Sequence, residues 1–299
     1  MKLITREVPL NFNLWIFGDR HCGNPFAYKK GWGKLAKRMN SPHRGVDHNI
    51  GIDVGDVTES VSMRDIKRFS PAHLSKILKD NDIGPVAGMC LYEAEEYIRE
   101  ARKIGAEKYI CILNGNHPKH MWPYFQSTQY VCRELKIPYG TWSAKVTFVT
   151  KSGRQLFKVF ATHGKRTISS TADDPARRKT NMELILKRLL KEKHGDCIIK
   201  AQGHCHKILI HEPTHALYLS DNGKEITQHY SQPHDLTGRS YIHPDHCWYI
   251  SGGSFVKMYD LEIEGDSYSE EAGYDPTELG CVCMAVRRGK PVSAEKIIL

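Results

Sequence analysis

The feature that most constrains this chain is a pattern that occurs five times: a short apolar run ending abruptly in glycine and a cluster of ionisable or amide side chains. Leu14-Trp15-Ile16-Phe17 runs into Gly18-Asp19, and Ile50-Gly51-Ile52-Asp53-Val54 into Gly55-Asp56. Tyr109-Ile110-Cys111-Ile112-Leu113 runs into Asn114-Gly115-Asn116-His117, and Phe157-Lys158-Val159-Phe160 into Ala161-Thr162-His163-Gly164. The fifth run, Cys197-Ile198-Ile199, reaches Gly203-His204-Cys205-His206 after three further residues. Apolar runs this short, bounded by glycine, read as buried strands. Glycine at a strand end lets the backbone turn sharply and approach a ligand closely.

Helical patterns lie between these runs. Leu91, Ala94, Ile98, Ala101 and Ile104 recur at helical spacing, with Gly105 placed to end the helix. Asp174-Pro175 reads as an N-cap followed by proline in the first turn. Met182, Ile185, Leu186 and Leu189 follow on one face, with Gly195 as the expected end. Alternation of strand and helix predicts an α/β core, in which side chains just past the strand C-termini converge on one rim. Residues 249–254 and 281–286 read as further strands, and the polar, histidine-rich stretch 211–246 as an insertion holding a hairpin and loops. With no repeat, low-complexity tract or interdomain linker, residues 1–299 are expected to form a single domain.

At 40% hydrophobic and 26% charged, the 299 residues have the composition of an ordinary globular protein, long enough to bury a core without disulfide staples. No apolar run approaches the roughly 18 residues of a membrane helix. Arg6, Glu7 and Pro9 interrupt the place where a secretory apolar region would lie. Nine cysteines, with no C-x-x-C pair, fit reduced thiols in a cytoplasm better than a disulfide framework. The formal net charge of +9 favours polyanionic partners. Its surplus is uneven: Asn24 to Val46 holds six Lys or Arg and no acidic residue, whereas Asp260 to Glu278 holds eight carboxylates and no Lys or Arg.

The polar residues that end the five runs are Asp19, His21, Asp56, Asn116, His117, His163, His204 and His206. Carboxylate, imidazole and amide oxygen form a borderline-hard ligand set, suited to Mn, Fe, Zn, Mg or Ni rather than copper or an iron–sulfur cluster. On an extended segment, alternation places Asp19 and His21 on one side, and likewise His204 and His206, so a strand end can offer two ligands to one site.

In their order, Phe17-Gly18-Asp19-Arg20-His21-Cys22-Gly23, Gly55-Asp56-Val57-Thr58-Glu59, Gly115-Asn116-His117, His163-Gly164 and Gly203-His204-Cys205-His206 resemble the five motifs of the calcineurin-like metallophosphoesterases. The resemblance spans residues 17–206, about two-thirds of the chain. It implies a four-layer α/β/β/α sandwich of two mixed β-sheets flanked by helices, with two divalent metal ions at the C-terminal rim of the strands. Manganese is the expected ion, with Fe, Zn, Ni or Mg as alternatives. The resemblance also implies that Asp19, His21 and His206 hold one ion and Asn116, His163 and His204 the other, with Asp56 bridging. His117 would be the acid beside the leaving group. Two cations about 3.5–4 Å apart clamp the attacking and leaving oxygens of an in-line displacement. A hydroxide bridging the two ions is then the expected nucleophile, and protonated His117 the proton donor.

Two departures narrow the branch. The second motif continues Thr58-Glu59-Ser60-Val61 where phosphoprotein phosphatases of the family carry Asp-Arg-Gly, and Pro118 follows His117 where an acidic residue is usual. Gly-Asp-x-x-Glu with Arg64 and Lys67-Arg68-Phe69 downstream is more similar to bacterial and phage members distantly related to DNA-repair exonucleases. The expected function is therefore a metal-dependent phosphodiesterase, a nuclease or nucleotide phosphodiesterase with nucleic acid or nucleotide as substrate. The alternatives are a phosphomonoesterase on a phosphoprotein or small metabolite, and a catalytically silent relative that binds nucleic acid.

Several residues read two ways. Glu59 either anchors a histidine or caps the following helix. Arg20 points away from the site into a packing or surface role. Residues 24–46 are an amphipathic helix with Trp32, Leu35 and Met39 inward, or a surface on which Phe26, Tyr28 and Trp32 stack bases between lysines. His120 reads as a solvated loop residue rather than a pocket lining, and His229, His234, His243 and His246 as loop or core residues rather than substrate contacts or, with Cys247, a third metal site.

Overall fold

The structure, a computed structural model, describes residues 1–60, 86–122, 125–231, 240–260, 262–263 and 267–299. Two large mixed sheets form its centre. One contains, in spatial order, β1 (Lys2–Glu7), β5 (Ser143–Val149), β6 (Gln155–Thr162), β7 (Ile199–Gln202), β11 (Trp248–Gly252) and β8 (Ile208–His211). The other contains β13 (Lys290–Ile298), β12 (Gly280–Arg287), β2 (Phe12–Phe17), β3 (Asn49–Asp53) and β4 (Tyr109–Ile112).

Side chains alternate across a strand, and β2 shows what that achieves. Leu14 and Ile16 face the first sheet and join Ile52, Val146, Val159 and Ile250 in one buried cluster between the sheets. Trp15 and Phe17 face the other way and pack with Trp32, Leu35 and Met39 of α1 (Lys29–Met39), with α2 (Val86–Ile104) and with α4 (Ser127–Leu135). Both faces of β2 and β3 are buried, which is why their apolar runs are nearly continuous rather than alternating. Burying each large side chain fully contributes about 1.5–3 kcal/mol. Helix α5 (Pro175–Leu190) packs on β8 and β11. Helix, sheet, sheet, helix is the four-layer α/β/β/α order.

Local signals placed the helices well. Gly105 takes φ 103° directly after α2, a left-handed value glycine adopts without strain. Asp174 caps α5 by accepting from the Arg177 amide at 2.6 Å. Three expectations shift. Leu91 is 39% exposed, and Met89, Cys90 and Tyr97 take the inward positions beside Ala94. Helix α5 ends at Leu190 rather than at Gly195. The fifth strand covers Ile199–Gln202 rather than 197–199, because buried Lys200 can stay in the sheet by donating to the Lys191 carbonyl at 2.7 Å. Strands β1, β5, β8 and β13 carry no glycine-ended apolar run, and their pairing with neighbours makes them strands. Within 211–246, β9 (Ala216–Asp221) and β10 (Ile226–Ser231) form an antiparallel hairpin. Among the described residues no helix is long and apolar enough to cross a membrane. All nine cysteines are free and buried.

Candidate metal centre

Strands β2, β3 and β4 run parallel, as do β6 and β7, so their C-terminal ends meet at one rim. The turn after β2 is stitched to the turn after β3: the Asp19 amide donates to the Gly55 carbonyl at 2.8 Å and the His21 amide to the Asp56 carbonyl at 2.9 Å. After β4, Asn116 and His117 open the short helix α3 (Asn116–His120). The turns after β6 and β7 supply His163, His204 and His206.

Asp19, His21, Asp56, His204 and His206 all have positive φ, at 49°, 49°, 52°, 69° and 53°. The extended alternation expected for Asp19/His21 and His204/His206 is therefore wrong in detail. Left-handed backbone, not strand pleating, turns each pair toward the rim. A non-glycine residue held there costs roughly 1–3 kcal/mol, and five at one rim is strain that packing for stability alone would not select. Close approach also explains a glycine: a Cβ on Gly115 would overlap Asp56 Oδ1.

The ligand-type atoms of Asp19, His21 and His206 lie within 4.8 Å of one another, and so do those of Asp56, His163 and His204. Asn116 Oδ1 joins the second group at 2.9 Å from His163 Nε2 and 2.7 Å from His204 Nδ1. Asp56 Oδ2 stands between the groups, 3.3 Å from His163 Nε2 and 3.7 Å from His21 Nε2. All seven residues expected as ligands thus come together, in the two groups and with the shared carboxylate that the resemblance implied.

The chemistry of these donors fits a divalent cation in each group. His163 Nδ1 donates to the Val54 carbonyl at 2.8 Å, because a carbonyl can only accept. In the neutral ring, Nε2 then carries a lone pair aimed at the Asp56 carboxylate and the Asn116 oxygen. His21 Nδ1 donates to Glu59 Oε2 at 2.7 Å, and its Nε2 faces His206 Nε2 at 3.2 Å. Lone pair against lone pair is repulsive unless a cation or proton lies between, and the far nitrogen held by an acceptor is how ligating histidines are oriented. With protons alone, burial opposes charge on His163, but Asp56 and Asp19 outweigh it and raise the ring to about 9. Burial raises the Asp19 carboxyl to about 7, aided by Asp56 and opposed by His163 and His21. Burial would also raise Asp56, but His163 and His117 hold it well below the usual carboxylate range.

Glu59 is the residue the sequence reading left open. Its carboxylate orients His21 and lies 3.6 Å from His117 Nδ1, while its carbonyl accepts from His117 Nδ1 at 2.7 Å. Burial is overcome by His117 and His21, which hold Glu59 at about 2. A carboxylate missing after His117 in sequence is thus supplied from three residues after Asp56, a spacing that could have identified it. The His117 amide donates to Asp56 Oδ1 at 3.0 Å, and its ring meets that of His21 edge-on at 4.3 Å. Trp142, just before β5, also reaches the centre. Its ring stands edge-on to His163 at 5.3 Å, with the Lys119 ammonium 5.4 Å above it. No motif marks either residue.

Arg20 points away from the site, as expected, into a packed place: it is fully buried, 5.5 Å over the Trp32 ring. Phe26 and Trp32 are buried as well, so the amphipathic-helix reading holds for Lys29–Met39 within 24–46, and those two rings cannot stack bases. Tyr28 is half-buried, with the Lys34 and Lys257 ammonium groups 5.9 and 5.4 Å from its ring. His120 is exposed. His229 lies on the hairpin, bonded to Ser220 at 2.7 Å, and His243 and His246 flank Asp245. None of these joins a ligand group among the described residues. Cys205 is buried against Ser251 at 2.9 Å. His234, Arg64 and Lys67-Arg68-Phe69 lie outside the described residues.

Fold and site together define an α/β sandwich whose rim gathers a buried cluster of histidine, aspartate and asparagine. No protein-family model and no curated protein matches the chain.

Proposed function

We propose that this protein is a dinuclear-metal phosphoesterase whose substrate is a phosphodiester of nucleic acid or a nucleotide. Asp19, His21 and His206 would hold one divalent ion, Asn116, His163 and His204 the other, and Asp56 both. Manganese suits the mixed oxygen and nitrogen donors, as do Fe, Zn, Ni and Mg. The observation that carries the reading is the Asp56 carboxylate lodged between two histidine groups. Such ions, when bound, supply positive charge to phosphoryl and leaving oxygens.

The chain's own groups account for the rest. His117 commits Nδ1 to the Glu59 carbonyl, which makes Nε2 the ring atom that exchanges a proton with a leaving oxygen. Glu59 fixes the His21 ring and favours charge on His117. The diester preference is supported by Lys119 and Trp142 beside the centre, by the net charge of +9, and by the absence of the Asp-Arg-Gly run after the second motif. Nine buried cysteines, none in a disulfide, support a reducing compartment such as the cytoplasm.

The test is turnover of bis-p-nitrophenyl phosphate, single-stranded DNA and p-nitrophenyl phosphate with Mn²⁺, Ni²⁺, Zn²⁺ and Mg²⁺. Diester cleavage that requires metal is the expected result. Monoester turnover alone would leave the phosphomonoesterase reading standing, and no turnover with any ion would sink both.

A further inference from the structure

A second cluster of ligand-type side chains lies away from the rim. Strands β2, β12 and β13 bring Trp15, Cys283 and Glu295 side by side in register, so these three side chains share one face of the sheet. The loop after α1 folds back over that face and brings His43, whose ring packs 5.1 Å from that of Trp15. One ring nitrogen of His43, Cys283 Sγ and a Glu295 carboxylate oxygen all lie within 4.8 Å of one another.

We infer that His43, Cys283 and Glu295 form a separate mononuclear site for a zinc-class divalent cation. The donor set of imidazole, thiolate and carboxylate is one that zinc and cobalt accept, with a further position left to water.

Each donor is held in place. Glu295 Oε2 is bonded by the Arg44 guanidinium at 2.6 Å, while Oε1 faces His43 Nε2 at 2.6 Å. A carboxylate whose far oxygen is fixed in this way presents the near one for coordination. The His43 backbone is clamped by paired bonds with Val46, at 2.9 and 3.1 Å, and its carbonyl accepts from Asn13 Nδ2 at 2.9 Å. Cys283 sits on a strand paired on both sides. A hydrogen bond from His43 to Glu295 accounts for those two residues but gives no role to the sulfur beside them. The Cys283 side chain is buried, whereas those of His43 and Glu295 are 17% and 28% exposed, so an ion can enter from solvent and displace the thiol proton to water. Once bound, it would tie the loop after α1 to the β12–β13 edge.

Cobalt separates this site from the rim. The seven rim ligands include no cysteine, so a thiolate-to-cobalt charge-transfer band reports only the new site. We expect titration of the full chain with Co²⁺ to develop that band, with a final amplitude corresponding to one cobalt–thiolate site per chain, in the unaltered protein and in Asp56→Asn alike. Cys283→Ser should abolish the band while leaving phosphodiester turnover intact. His43→Asn, which keeps a polar side chain in the loop against Trp15, should weaken cobalt binding about tenfold or more. Circular dichroism establishes that each variant is folded. A chain that shows no thiolate band at saturating cobalt overturns the proposal, as does a band that survives Cys283→Ser. Neither result bears on the rim, whose metal-dependent turnover is measured independently.

Discussion

Two regions of this protein are rich in histidine, and they do opposite things with it. At the rim, His21, His117, His163, His204 and His206 crowd around two carboxylates, with His21 and His163 fully enclosed. In the β9–β10 hairpin and its surroundings, His215 stacks on Tyr230 at 4.7 Å and His229 on Tyr218 at 4.9 Å, on strands whose Leu217, Leu219 and Ile226 are 61%, 66% and 75% exposed. The number of histidines is similar; the environment differs. Where the backbone is buried and strained, a ring nitrogen is held by a carbonyl or carboxylate on one side and aimed at other donors on the other. Where the strands are solvated, the ring lies flat on a tyrosine and bonds a serine hydroxyl. Burial with a fixed tautomer, not residue type, marks the chemistry.

This contrast can be broken at several points. Asp56→Asn removes the carboxylate shared by both groups and should cost about 4 kcal/mol of transition-state stabilisation, on the order of 10³-fold in metal-dependent turnover. Steady-state assays over a range of Mn²⁺ check it, and unchanged turnover would remove the rim from the reaction. Gly115→Ala forces a methyl group onto Asp56 Oδ1. Overpacking of this kind costs about 1–3 kcal/mol, visible as a lowered melting temperature together with weaker metal binding. Glu59→Gln keeps the shape of the group that orients His21 but removes its charge. Metal affinity or turnover should drop about 10–100-fold, measured by metal titration and initial rates; a variant equal to the unaltered protein would reduce Glu59 to a packing residue. His229→Ala, in the hairpin, should change stability by no more than about 0.5 kcal/mol and leave turnover within a factor of two or so. A large loss of turnover there would mean that the hairpin reaches the substrate.

Much of the rim was legible in the amino-acid order because each residue expected as a ligand follows a strand buried along all or most of its length. Such strands are mostly apolar, with Lys200 of β7 kept inside by its bond to the Lys191 carbonyl, and a glycine beside Asp, Asn or His after such a run stands out. Glu59 was half legible, since its spacing from Asp56 is regular but its partners His21 and His117 come from other turns. Trp142 and Lys119 were not legible at all. They meet because β5 begins and α3 lies at the same rim, a juxtaposition that neither segment encodes alone. The basic stretch 24–46 was ambiguous in sequence, and the packing of Phe26 and Trp32 into the core resolved it, because a ring closed off from solvent cannot stack on a base.

By itself, the sequence determined the five strands that lead to the rim, the end of α2 at Gly105 and the start of α5 at Asp174, and which side chains stand at those strand ends. These are local matters of apolar run length, capping and glycine placement. Only the tertiary structure decided that two parallel strand sets share a rim, that Asp56 lies between two histidine groups, and that Glu59 serves two histidines at once. It also placed Cys283 beside His43 and Glu295. The physical reason is that pairing order and sheet stacking follow from burial summed over the whole molecule, whereas strand ends and caps follow from a few neighbouring residues.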